Sequence, residues 1–219
     1  MHPAGISLIS ALLFIPALCF GDFMRFNEAH QSGVEFNAVY DWVRAEDKYA
    51  LTAKGILFSK TNSAKPKLKL PIDKKAYIER VFVLNYNDDQ LLAFEVNDGE
   101  DMQGFVCRIK SPLDAVLWCQ SIYGFNIYPM ATTDTIYIGA IGFVGLVDPE
   151  SGKFVWKHDN LYAKDNTFNI VCPAEETEST VSFNATTGVK GFAVKKITLN
   201  RQSGKILKVE VINDANVCQ

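Results

Sequence analysis

The sequence predicts an all-β fold, a small β-propeller or an open propeller-like array of about four antiparallel blades. Three observations predict it. A Gly followed by a short apolar run recurs at Gly55, Gly104, Gly142 and Gly191, with starts 49, 38 and 49 residues apart. A polar turn and a second apolar run follow each copy, the spacing of stacked β-units. No segment sustains a 3.6-residue period with caps, so little helix is expected.

At 219 residues the chain is long enough for one repeat-built domain. Its 48% hydrophobic and 21% charged residues are ordinary for a chain with a sizeable core. A net charge of −3 gives no general attraction to nucleic acid or anionic lipid.

Residues 1–21 read as a cleaved signal peptide, followed by one β domain over 22–219. Residues 6–20 form an apolar run broken by Pro16, and small residues near Gly21 suit cleavage there. The alternative is an uncleaved membrane anchor, but the run is short of about 20 residues and is broken by proline, and no membrane insertion is expected after cleavage. Leu18 before Cys19 fits a lipoprotein signal poorly. The destination is periplasmic or secreted.

Cleavage leaves Cys107, Cys119, Cys172 and Cys218, an even set suited to an oxidising compartment. Three pairings are possible. Runs 105–109 and 116–120 flank a polar turn; pairing them around Leu113 sets Cys107 across from Cys119, leaving Cys172 for Cys218. No Cys-x-x-Cys spacing exists, so no zinc site is expected.

The first unit, 55–70, carries Asn62-Ser63-Ala64-Lys65 in its turn. The second, 104–120, ends in Val116-Leu117-Trp118. The third, 142–157, turns through Asp148-Pro149-Glu150-Ser151-Gly152-Lys153 into Phe154-Val155-Trp156. The fourth, 191–210, turns through Asn200-Arg201-Gln202-Ser203-Gly204-Lys205. Pro149 presets a type I turn, and Gly152 or Gly204 supplies the left-handed residue that returns the chain. Further strands are expected at 34–43, 81–84, 91–96, 135–140 and 181–184, from alternating or wholly apolar runs.

Residues 135–156, Thr-Ile-Tyr-Ile-Gly, then Gly142, Leu146-Val147-Asp148, Ser151-Gly152-Lys153 and Trp156, resemble the repeat of PQQ-like quinoprotein propellers. In that family the Trp docks between neighbouring blades, which implies the same role for Trp156 and for Trp118. The first unit has Leu68 where the Trp is expected. Nothing matches the family's cofactor site, so the resemblance implies a cofactor-free, non-enzymatic member that serves as a binding platform.

Catalytic constellations are lacking. His30 and His158 stand outside any nucleophile motif, and no Gly-x-Ser-x-Gly is present. Carboxylates concentrate in turns; Asn97-Asp98-Gly99-Glu100-Asp101 has oxygen donors but reads as a hairpin turn rather than a calcium loop. Seven lysines lie within 54–75 against one acid, Asp73, and the charged residues of 85–101 are all acidic. That polarity reads as a docking face or, with Lys on alternate positions, as protection of an exposed strand. The stretch 123–130 is apolar and loop-like, making Tyr123, Phe125 and Tyr128 candidate partner contacts. Asn184-Ala185-Thr186 is a sequon read at a hairpin tip.

The functional expectation is an exported protein-binding module without catalysis, cofactor or metal, for example an immunity protein, an inhibitor or an envelope scaffold. The alternative is a carbohydrate-binding protein or glycoside-active enzyme using carboxylates in the propeller funnel.

Overall fold

The computed structural model describes residues 23–44, 46–111, 115–124, 126–163, 166–187 and 194–212. The predicted signal peptide, Gly191 and Cys218 lie outside the described residues.

Four antiparallel sheets follow one another along the chain. A short strand β1 (Asn27–Glu28) precedes sheet 1, which holds β2 (His30–Ser32), β3 (Val39–Arg44), β4 (Asp47–Thr52), β5 (Ile56–Ser59) and β6 (Leu68–Lys69). Sheet 2 holds β7 (Tyr77–Tyr86), β8 (Asp89–Asn97), β9 (Met102–Ile109) and β10 (Val116–Tyr123), with β1 added to the free side of β7. Sheet 3 holds β11 (Tyr128–Ala131), β12 (Ile136–Ala140), β13 (Phe143–Val147) and β14 (Phe154–His158). Sheet 4 holds β15 (Tyr162–Ala163), β16 (Asn166–Glu176), β17 (Thr180–Thr187), β18 (Val194–Asn200) and β19 (Ile206–Ile212). The echoing Gly55 and Gly142 immediately precede the strand next to the outermost one, β5 and β13, and Gly104 lies within the corresponding strand, β9. The fold is all-β and propeller-like.

The sheets stack through three apolar seams. In β8, Leu92, Phe94 and Val96 face sheet 1, while Leu91 and Ala93 face sheet 3. In β13, Phe143 and Val147 face sheet 2, while Val144 and Leu146 face sheet 4. A strand covered on both faces reads as a continuous apolar run, which is why these two are the plainest in the sequence. Among the described residues no fourth cluster joins sheet 4 back to sheet 1.

Both ends carry polar groups. On the face of sheet 4 turned away from sheet 3, the Ser182 and Thr198 hydroxyls share a hydrogen bond of 3.0 Å. At sheet 1, Lys60 pairs with Asp41 at 2.8 Å. Such outer faces are what a stacked array needs where stacking stops.

Several expectations are corrected. Residues 34–43 are not one strand: Glu35–Asn37 is a turn of 3-10 helix closed by Asn37 N–H donating to the Val34 carbonyl, and β3 starts at Val39. Asn184 is not at a hairpin tip; it sits within β17, paired with Cys172 and Lys196, and is 6% exposed. The loop-like stretch contains β11, whose Met130 and Ala131 are buried. Strands β4 and β16 escaped the sequence reading. Pro173 in β16 is tolerated because it sits between two bulges, where among the described residues no strand pairs on the other side.

Tyr40 shows how the first seam is satisfied. Its hydroxyl donates to the Ile78 carbonyl at 2.7 Å, and burial, then the nearby Glu79 carboxylate, push its pKa up to about 12 from an ordinary 10.0. The unfolded chain therefore releases this proton between pH 10 and about 12 while the folded chain retains it. Stability is full below pH 10 and falls as pH rises through that window. Tyr40→Phe should flatten this part of the alkaline unfolding profile, measured by urea midpoints at about pH 9–12. An unchanged slope would show that Tyr40 does not report on folding.

Candidate functional site

The chain's own entry into the fold shapes a concavity. Residues 23–28 cross the inner strands of two sheets. Phe23 packs on Tyr137 with ring centroids 6.2 Å apart, and Met24 N–H donates to the Ala131 carbonyl of β11 at 2.6 Å. Asn27 and Glu28 then pair with Val83 and Phe82 of β7 before the chain turns into sheet 1. These inner strands have unpaired edges, and the crossing segment satisfies part of them.

Beside the crossing segment lies a cavity of about 640 Å³. Phe26, Phe82, Tyr128 and Met130 form much of its apolar wall, and Arg25 and Lys196 place cations on it. No carboxylate lines it among the described residues. Glu175, 59% exposed, meets Lys196 from outside the wall. A concavity that joins apolar walls to fixed polar groups is a usual form of binding site, and here the polar share of the lining is the larger. What it can do chemically is hold an apolar or aromatic group beside an anionic one.

Of the candidate contacts, Tyr128 opens β11, is 38% exposed and lines this cavity. Tyr123 ends β10, but its side chain and all of Phe125 lie outside the described residues. The sequence reading missed Arg25, Phe26, Phe82 and Lys196, which lie on the entering segment and on two different sheets. The one available signal was the aromatic-basic run Phe23-Met24-Arg25-Phe26 directly after the predicted cleavage point.

Trp118 and Trp156 lie in the seams instead. Trp118 Nε1–H donates to the Pro149 carbonyl at 2.9 Å and the indole lies over Gly152 of the next sheet. Trp156 repeats this one sheet on, donating to the Arg201 carbonyl at 2.8 Å over Gly204. Ion pairs reinforce both seams. Arg108 Nε reaches Asp89 at 2.7 Å and its Nη1 reaches Glu150 at 2.8 Å, while Arg201 Nε reaches the buried Glu176 at 2.9 Å. Tyr137 donates to that same carboxylate at 2.6 Å; burial first, and then this carboxylate, raise the Tyr137 pKa.

The first seam is built differently. Leu68 stands where the others have Trp, and a disulfide joins Cys107 of β9 to Cys119 of β10 against the sheet 1–sheet 2 cluster. Cys172 is also disulfide-bonded; Cys218, its predicted partner, lies outside the described residues.

No family model matches the sequence, and no characterised protein matches it. Among solved structures it is similar to the crystal structure of BamB from Moraxella catarrhalis, with 85% of this chain and 79% of that one covered. The TM-score is 0.30 at 11% identity. So loose a superposition carries no functional argument. The fold rests on the sheet order itself.

The remaining polar features serve the fold. Asp98 accepts from the backbone N–H of Asp101 at 2.8 Å and of Glu100 at 2.9 Å, which together hold its carboxyl below the ordinary range and close the β8–β9 turn. Among the described residues no group of three or more His, Cys, Asp or Glu is arranged to hold a metal. Lys65 is held by Asp47 at 2.6 Å, and Lys69 donates to the Lys54 carbonyl, so part of the lysine-rich stretch ties the outer edge of sheet 1 together. His158 Nε2 meets the Gly204 carbonyl at 2.7 Å.

Proposed function

We propose that this chain is an exported, non-catalytic protein-binding module that receives a segment of its partner in the inner cavity. The carrying observation is the lining: aromatic and Met side chains beside a larger polar surface that holds Asn184 and two cations, with no carboxylate among the described residues. The fitting occupant is a peptide segment presenting an apolar side chain next to an acidic one. An immunity protein or inhibitor for an exported toxin, or an envelope scaffold, would each use such a site. Export is supported by the Cys107–Cys119 disulfide and by the bonded state of Cys172. The carboxylate-driven glycosidase alternative finds no acid on this wall.

The test places a photo-crosslinking amino acid at Tyr128 in the exported chain. It should capture one protein, and the yield should fall roughly thirtyfold in Phe82→Ala or Arg25→Glu, as for a hot spot worth about 2 kcal/mol. Capture at the exposed Val155 should be absent. Equal capture at both positions, or a copurifying small molecule that blocks Tyr128, would refute the reading.

A further inference from the structure

Sheet 4 ends on β19, and among the described residues no strand pairs with its outer edge. Four large apolar side chains are exposed on this one strand: Ile206 by 39%, Leu207 by 52%, Val209 by 45% and Val211 by 63%. The outer strands β10 and β14 expose one each, Leu117 and Val155, among the described residues. An unpaired apolar edge seven residues long offers free backbone donors and acceptors to another strand.

The strand is also not built to continue the array. Trp118 lies opposite Arg108 and Trp156 opposite Leu146, each beside a bulge. The residue at that place in sheet 4 is Lys208, opposite Thr198 and also beside a bulge. A charged residue stands where sheets 2 and 3 have the seam tryptophan, and among the described residues no further sheet docks here face to face. What remains open is the edge.

The charges on the edge select its occupant. Lys208 and Glu210 flank Val209, are 64% and 42% exposed, and lie 2.7 Å apart. We propose that β19 pairs antiparallel with β19 of a second copy, across a two-fold axis at Val209. In that register Lys208 faces Glu210 of the partner subunit, and Glu210 faces Lys208 of the partner subunit. The four charges alternate in sign around the axis. Val209 faces its own copy, and Leu207 faces Val211 of the partner subunit. Opposite charges directly across an antiparallel pair are favourable and like charges unfavourable. Moving the axis to Lys208 or Glu210 would set like charges against each other; moving it by half a residue would set charges against Val and Leu. One register therefore satisfies the strand, and it is the self-complementary one that a two-fold dimer requires.

Sedimentation equilibrium of the mature full-length chain tests this. The wild-type chain should be in monomer–dimer equilibrium. Lys208→Glu alone, or Glu210→Lys alone, should weaken self-association by roughly tenfold or more, because each puts two like-charge pairs at the axis. Mixing the two single variants should restore association. One copy then brings two acids to the axis and the other two lysines, so every acid faces a lysine. The double variant should dimerise like wild type. Unchanged circular dichroism and Tm would confirm that both single variants fold; if one does not, the double variant alone still reports. A chain that stays monomeric to about 100 µM, a Lys208→Glu dimer as tight as wild type, or a mixture that fails to associate overturns the proposal.

Discussion

Replacing Gly152 with Ala should destabilise the chain by about 2–5 kcal/mol, and Gly204→Ala should do the same. Two effects add at each position. Both glycines have φ of +69°, where a Cβ costs about 1–2 kcal/mol. A Cβ at Gly152 would also lie 2.5 Å from Trp118 Cδ2, and one at Gly204 2.5 Å from Trp156 Cδ2. The indoles cannot retreat freely, because each is held by its Nε1 hydrogen bond and packed into a seam. Forcing that contact adds about 1–3 kcal/mol of overpacking. Gly99 separates the two effects: its φ is +94°, yet nothing lies within 4 Å of a Cβ built there. Gly99→Ala should therefore show the backbone cost alone. Urea midpoints at constant m-value measure all three; a Gly152→Ala loss no larger than that of Gly99→Ala would show that the seam can open without penalty.

These glycines also mark how far the sequence could be read. The turn Ser-Gly-Lys with a Trp four residues past the Gly announces a strand–turn–strand unit, because φ, turn type and indole size all act within about ten residues. Local rules likewise place Cys107 opposite Cys119, as the register shows. What was not legible depended on the third dimension. The stretch 123–130 reads as a loop, yet Pro129 sits in β11 at the edge of its sheet, where a missing N–H is harmless. Asn184 reads as a hairpin-tip residue within its sequon; it is buried in β17, between Cys172 of β16 and Lys196 of β18. The cavity residues come from segments as far apart as Arg25 and Lys196, and no spacing rule connects residues brought together only by stacking of whole sheets.

The Cys107–Cys119 bond is expected to matter most to the seam where Leu68, not Trp, stands at the repeat position and Trp42 packs only partly buried. Closing a loop with a sequence separation of 12 restricts the unfolded chain by about 3 kcal/mol in the loop-entropy model. Both sulfurs also belong to the sheet 1–sheet 2 cluster, where Leu68 supplies less contact than an indole would. The double variant Cys107→Ala/Cys119→Ala should thus lose about 3–4 kcal/mol, the excess over loop entropy reflecting lost packing. Its location should be visible as well as its size. Sheet 1 is the terminal sheet and is held to the rest chiefly through that cluster, so amide exchange should accelerate in β3, β4 and β5. The strands β12 and β13, two seams away and anchored by Trp118 and Trp156, should keep their protection, since stacked units communicate mainly with neighbours. Uniform acceleration across all four sheets would instead show that the array unfolds as one cooperative block, and a loss below about 1 kcal/mol would show that the seam does not depend on the bond.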